Sequence, residues 1–197
     1  MTRVISIVEG DGEVAAVPVL LRRLADWLTP AAYIEVLPPI RVRRDRFLNR
    51  EDEFCRHIQL AAAKCMPDGW ILILLDADDD CPVDVSRKVR LLAEKFVPHR
   101  NVSVVMANRE YEAWFIASAT SLNGRRGFQT IEGDAAADPE APRNAKGWIR
   151  DRMGGSYGET TDQPALTAVF DLNLARQRSR SFRKLCAEWT KNTQAVV

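Results

Sequence analysis

Acidic side chains follow two apolar runs of the sequence, at points where strands are expected to end. Glu9 comes directly after V-I-S-I-V, with Glu13 four residues later, and Asp76 and Asp78 follow W-I-L-I-L-L. Short apolar runs of this kind are typical of buried parallel strands, whose carboxyl ends share one edge of an open α/β sheet. Carboxylate oxygens are the ligands that Mg²⁺ takes in proteins. The pattern therefore predicts a divalent-cation site that includes Glu9, Asp76 and Asp78.

A purely structural explanation of the same acids stays open. Asp79 and Asp80 could cap the next helix and leave Glu9 an exposed turn residue. Two more acids, Glu110 and Glu112, follow the fourth predicted strand. Only one of these two can easily face the cleft, and we prefer Glu112, because the aromatic residues just after it need the core. Either acid could instead have a structural role, because the helix dipole stabilises negative charge at a helix N-terminus.

A glycine pattern after the first strand suggests a competing function. Gly10, Gly12 and Ala15 satisfy G-x-G-x-x-A, and Glu35 follows at about the spacing of a dinucleotide-binding fingerprint. A pyrophosphate at this turn would meet three carboxylates of like charge, which disfavours its binding. We therefore favour the metal site over the dinucleotide site.

Two basic clusters could contact phosphate groups. The first spans Arg41 to Arg50, and the second spans Arg176 to Lys184. Charge runs are often solvated surfaces, but beside an acidic metal site they fit the path of a nucleic-acid backbone better. The residues expected to contact nucleic acid are Arg43, Arg44, Arg46, Arg178 and Arg180 from these clusters, and Lys146, which lies outside them.

Composition indicates a globular chain with a core of its own. The sequence has 197 residues, of which 46% are hydrophobic and 28% charged, and the formal net charge of +1 predicts no partner by itself. No apolar run approaches the length of a membrane span, and the N-terminus does not resemble a signal peptide. The four cysteines form no C-x-x-C pair, so we expect reduced thiols in a cytoplasmic protein.

Hydrophobic periodicity predicts a βαβαβαβα order, and hence a doubly wound parallel sheet in a single domain over residues 1–197. The core is expected within about residues 1–120, and an irregular insertion and C-terminal helices within 121–197. Because proline is tolerated in the first turn of a helix, Pro18 places the start of the regular first helix near Val17. Strands are expected at 4–8, 33–37, 70–75 and 102–106, and a short helix within the insertion at 146–152.

The ordered series of motifs resembles a known family. After E-G-x-x-E and D-x-D come N-R-E-Y-E-A-W-F-I-A, K-G-W, S-Y-G-E-T-T-D-Q-P-A-L-T-A and S-R-S-F. The first two motifs are the signature of the Toprim fold, which occurs in topoisomerases, primases and nucleases of the overcoming-lysogenization-defect type. The whole series resembles the Toprim-like domain-of-unknown-function family 4276.

That resemblance implies a Toprim-like, Rossmann-like α/β fold with a C-terminal helical extension, and a Mg²⁺- or Mn²⁺-dependent nuclease linked to phage defence. Glu9 and Glu13 would be catalytic, and the cation would bind to Glu9, Asp76, Asp78 and Glu112. The expected partners are nucleic acid, DNA rather than RNA, and an ATPase, with no membrane involved. The alternative is a non-catalytic interaction or sensor module for that ATPase.

Overall fold

Five parallel strands form the centre of the molecule, which is a computed structural model that describes residues 2–193. The order across the sheet is β2-β1-β4-β5, and β3 pairs with the end of β1 on the same side as β2. β4 thus lies between two neighbours. The strands are β1 (Thr2–Val8), β2 (Ile34–Val36), β3 (Ile40–Arg41), β4 (Trp70–Asp76) and β5 (Asn101–Ala107).

Helices connect the strands and continue after the last one. They are α1 (Asp11–Leu28), α2 (Arg44–Asn49), α3 (Glu51–Cys65), α4 (Pro82–Phe96), α5 (Ala113–Ala117), α6 (Ala119–Leu122), α7 (Ala145–Arg152), α8 (Asp162–Thr167), α9 (Leu172–Arg178) and α10 (Arg180–Thr193). Among the described residues, no helix is both long and apolar enough to cross a membrane. All four cysteines are free.

Both faces of the sheet are covered, as the uninterrupted apolar sequence of β4 predicts. Trp70, Leu72 and Leu74 belong to a core shared with α1 and the helices from α5 to α10. Ile71 and Ile73 point the other way, into a core shared with α2, α3 and α4. Each such side chain contributes roughly 1.5–3 kcal/mol when it is fully buried. The prediction of a mainly parallel α/β sheet flanked by helices is confirmed.

Helix α1 begins earlier than the sequence suggests. It starts at Asp11, and the backbone N–H of Val14 already donates to the carbonyl of Gly10. Pro18 therefore lies inside the helix, and the prediction of a regular helix starting near Val17 is wrong. An internal proline costs about 3 kcal/mol. Burial of the apolar face of α1, including Leu20, outweighs that cost.

The arginine-rich segment after β2 is also more regular than expected. It forms the two-residue strand β3 and the helix α2, elements too short to give a readable period. Within the insertion, the predicted short helix is confirmed as α7. After α7, α8 ends at Thr167 and α9 begins at Leu172, so this part of the chain forms two short helices.

Candidate functional site

Five carboxylates gather at the carboxyl edge of the sheet, and we call them the acidic cluster. Glu9 follows β1 directly, and Glu13 lies in the first turn of α1. Asp76 is the last residue of β4, and Asp78 lies two residues further on. Glu112 ends the turn between β5 and α5. The topology thus brings together the acids that the sequence singled out from three separate regions.

Burial and mutual repulsion disfavour the charged forms of these acids. Burial is the main cause that raises the pKa of Asp76 well above its ordinary value, and Glu112, Glu13 and Glu9 add to it. The pKa of Glu9 rises to about 7, through burial and then through Asp78 and Glu13. Burial also raises the pKa of Glu112 to about 7. Near neutral pH the cluster therefore retains protons or requires positive charge.

Several buried oxygens of the site lack a hydrogen-bond donor. Within the described part of the chain, no donor reaches the Oε2 atoms of Glu9, Glu13 and Glu112 or the Oε1 atom of Gln163. Buried polar atoms in proteins are nearly always paired. All four of these atoms are acceptors, and unpaired carboxylate and amide oxygens are the ligand type of Mg²⁺. The residues present therefore fit a divalent cation.

The side chains of the acidic cluster are not arranged around a single point where such an ion could bind. Across residues 2–193, no three histidine, cysteine, aspartate or glutamate side chains are arranged so that they could hold one metal. Asp76 is turned inward, where its Oδ1 accepts from the backbone N–H of Tyr111 at 2.8 Å. Asp78 has a φ of +50° and an exposed side chain. The chain turns directly after β4, so Asp76 and Asp78 do not point to the same side.

Two polar side chains, one from the loop between α7 and α8 and one from α8 itself, orient the buried acids. The Tyr157 hydroxyl donates to Oε1 of Glu112 at 2.7 Å. Nε2 of Gln163 lies 3.2 Å from Oε1 of Glu112 and 3.2 Å from Oε1 of Glu13. Gln163 was not predicted as a site residue, although it lies in the S-Y-G-E-T-T-D-Q-P segment. Its only local signal is an amide in a helix that is otherwise packed against the core.

The glycine pattern serves internal packing instead of a dinucleotide. A Cβ atom on Gly12 would lie 2.2 Å from Oε1 of Gln163 and 2.9 Å from the carbonyl oxygen of Glu159. The close approach that the glycine permits is therefore made by the chain itself. Glu35 pairs with Arg3 at 2.7 Å, near the start of β1 and away from the carboxyl edge. Both observations oppose the dinucleotide-binding interpretation.

Arg44 supplies positive charge on one side of the cluster. Its guanidinium lies 2.6 Å from Asp80, 3.5 Å from Asp78 and 3.9 Å from Glu9. It also donates to the backbone carbonyls of Asp76 at 3.0 Å and of the next residue at 3.2 Å. Arg44, expected to contact a phosphate backbone, is thus engaged with the acids and with the end of β4.

Lys146 supplies a second positive charge. Its ammonium lies 3.4 Å from Glu159, and its backbone N–H donates to Glu110 at 2.9 Å. Burial works against the charge of Lys146, but Glu112 and Asp76 outweigh it and raise the pKa of the lysine. Lys146 is therefore a charged residue beside the acids, and its contact with nucleic acid stays a prediction.

The remaining arginines of the prediction lie outside the acidic cluster. Arg43 and Arg46 are exposed around α2. The guanidinium of Arg178 donates to two backbone carbonyls, those of Ala117 at the end of α5 and of Ala137 in the insertion, and so ties α9 to both. Arg180 is exposed at the start of α10. The second basic cluster thus contributes no residue to the acidic cluster.

A family model described as Domain of unknown function (DUF4276) matches residues 8–188. The match covers most of the chain and includes every residue of the acidic cluster, so the protein belongs to this family. Neither a curated protein nor a solved structure matches the sequence.

Proposed function

We propose that this DUF4276 family member is a Toprim-type nuclease that uses Mg²⁺ or Mn²⁺ to cleave phosphodiester bonds, in DNA rather than RNA. The observation that carries the proposal is the set of buried acceptor oxygens without donors in the acidic cluster. A buried carboxylate oxygen without a donor is costly, and a cation would relieve several such oxygens at once. The resemblance to Toprim motifs supports the same chemistry.

The cation would be held by Glu9, Asp76, Asp78 and Glu112. When bound, it would supply Lewis-acid activation of water and stabilisation of the leaving oxygen. Because the described side chains do not converge on one point, binding requires some of them to rotate. Asp78 is best placed to do so, since its side chain is 55% exposed.

The chain's own groups would handle the proton and the phosphate. Glu9 lies between the buried acids and solvent, with a side chain that is 25% exposed, so it can exchange a proton with water or with a leaving oxygen. Glu13 is held by Gln163 behind it and supports that role. Lys146 is 31% exposed and can attract a phosphate to the mouth of the site.

A cleavage assay with labelled DNA and RNA strands tests this proposal. We expect cleavage with Mg²⁺ or Mn²⁺, none in EDTA, and a loss of at least about a hundredfold in Glu9→Gln, the scale of a lost general acid or base. The matched control is Glu94→Gln, which removes an exposed carboxylate on α4. Cleavage that persists in Glu9→Gln at the wild-type rate would refute the assignment.

The arrangement of the side chains also gives some support to a second function. Within residues 2–193 no three metal-binding side chains are pre-arranged, and Arg44 already neutralises part of the cluster. These facts fit a non-catalytic sensor or interaction module for a partner ATPase, in which the acids would serve folding. A folded protein that shows no heat of Mn²⁺ binding at millimolar concentration would favour the module over the nuclease.

A further inference from the structure

A polar pocket lies beside the acidic cluster and is lined mainly by positively charged side chains. It has a volume of about 320 Å³ and opens between β3, α2 and the first turns of α3. Four arginines from these three neighbouring segments surround it. They are Arg41, Arg43, Arg46 and Arg56.

Three of these arginines have no partner of their own. Among the described residues, the side chains of Arg43, Arg46 and Arg56 form neither an ion pair nor a hydrogen bond, whereas most other arginines form one or both. The single carboxylate that lines the pocket belongs to Glu53. Guanidinium groups that share a pocket repel one another, so this arrangement favours an anion between them.

Two aromatic rings, those of Phe47 and His57, also line the pocket. Phe47 is buried and packs edge-on against the His57 ring, with 6.2 Å between ring centroids. Nδ1 of His57 lies 2.7 Å from the backbone carbonyl of Glu53. A carbonyl can only accept, so Nδ1 carries a proton and the ring orientation is fixed. Arg56 is adjacent to His57 on α3, so one rigid helix carries part of the wall.

The pocket adjoins the acidic cluster through two arginines. Nε of Arg41, on the wall of the pocket, donates to the backbone carbonyl of Glu9 at 3.2 Å. Arg44 lies between Arg43 and Arg46 in the chain, yet its guanidinium reaches Asp78. A ligand in the pocket is therefore next to the acids proposed to act on a phosphodiester.

We propose that this pocket binds a terminal phosphate monoester, carried by a nucleic-acid end or by a free nucleotide. The inference rests on the proposed function and names its substrate class: strands with a phosphorylated end. A monoester dianion presents three terminal oxygens, which match several unpaired guanidinium groups and their bidentate geometry. A diester inside a strand presents only two such oxygens and one charge, and it would leave part of the arginine set unpaired.

Fluorescence anisotropy in EDTA measures this binding without the metal. The probes are one labelled oligonucleotide sequence with a 5′-phosphate, with a 3′-phosphate, or with neither. We expect one phosphorylated form to bind about tenfold more tightly than the unphosphorylated strand, the effect of a few charge-assisted bonds. The triple variant Arg43→Gln, Arg46→Gln, Arg56→Gln should abolish that difference.

The control is the triple variant Arg87→Gln, Lys88→Gln, Arg90→Gln, which removes the same charge from the exposed surface of α4. It should keep the preference for a phosphorylated end. Equal affinity of wild type for all three probes, or equal loss of the preference in both triple variants, would overturn the pocket. Competition with AMP distinguishes the two sources: AMP displaces the probe if a nucleotide suffices, and it fails if the polymer end is needed.

This experiment is separable from the test of the proposed function. The binding is measured in EDTA, so it does not depend on the acids or on a cation. A pocket without preference for phosphate would leave metal-dependent cleavage intact. Conversely, loss of cleavage in Glu9→Gln would not alter binding of the phosphorylated end.

Discussion

Arg44 is the residue on which the balance of charge at the site depends most. Its side chain is only 15% exposed and reaches three carboxylates and two carbonyls that follow one another at the end of β4. Sequence alone marked it as one arginine among several in a basic run. Which member of such a run turns inward depends on the path of β3 and α2, and neither element has a readable period.

Replacing Arg44 by Gln should destabilise the fold by about 1–2 kcal/mol, because it removes the donor to two backbone carbonyls at the end of β4 and the positive charge beside Glu9. Urea unfolding measures the change. The control is Arg43→Gln, which removes a neighbouring exposed arginine and should change the free energy of unfolding by less than about 0.5 kcal/mol. Equal stability of both variants would show that Arg44 does not neutralise the cluster.

Tyr157 offers a second test at the residue scale. Tyr157→Phe removes the hydroxyl that donates to Glu112, and we expect a loss of about 1–3 kcal/mol, since the acceptor is a buried acid. The variant should also raise the pKa of Glu112, because that hydrogen bond lowers it. Thermal unfolding measures the first effect.

Tyr33→Phe is the matched control for this variant, because it removes a hydroxyl from a side chain that is 74% exposed. It should leave stability unchanged. If Tyr157→Phe were as stable as Tyr33→Phe, the hydrogen bond to Glu112 would make no measurable contribution to the stability of the fold.

At the scale of elements, the packing of α8 against α1 closes the back of the acidic cluster. The contact depends on Gly12, which lies under Gln163 and the carbonyl of Glu159. Gly12 and Gln163 are far apart in the sequence, so no local pattern could reveal their contact. The sequence shows the glycine, but it does not show the contact with α8 that requires a residue without a side chain.

Gly12→Ala therefore tests whether packing or helix propensity dominates, because the two effects change the free energy of unfolding in opposite directions. Helix propensity alone would stabilise α1 by up to about 1 kcal/mol. The added Cβ atom would meet a backbone carbonyl at 2.9 Å, so we expect net destabilisation and weaker order in α8. Unfolding in urea gives the sign. Ala15→Gly, an exposed position on the same turn, should lose only the propensity contribution, and a more stable Gly12→Ala would contradict the packing account.

The predictability of each element follows from how local its signal is. β4 and the doubly wound topology could be predicted because an apolar run covered on both faces is a signal within seven residues. The positions of Glu9 and Asp76 followed from strand ends alone. The full length of α1 could not be predicted, because the packing of Leu20 and its neighbours overrides Pro18.

At the scale of the whole molecule, the acidic cluster links stability to pH. Glu9 and Glu112 have pKa values of about 7 in the folded chain, whereas the ordinary pKa of a glutamate side chain is 4.5. Between these values the folded state binds more protons than the unfolded state, so the free energy of unfolding falls as pH rises. The stabilising contribution is complete below pH 4.5 and is lost as pH rises through about 7.

Thermal unfolding in EDTA measures this dependence. We expect the melting temperature to fall between about pH 5 and pH 8, and Mg²⁺ to restore it at the upper end. Glu112→Gln should flatten the curve, because it removes one of the titrating groups. A melting temperature that rises across this window would contradict the shifted pKa values.

The central claim is that the acidic cluster binds a divalent cation, and calorimetric titration of Mn²⁺ tests it most directly. We expect wild type to bind at or below millimolar concentration, and Asp76→Asn to bind none. The amide can still accept from the N–H of Tyr111, so the fold should survive. Asp68→Asn, exposed in the turn before β4, should bind like wild type. Equal heats from wild type and Asp76→Asn, or none from wild type, would contradict the account.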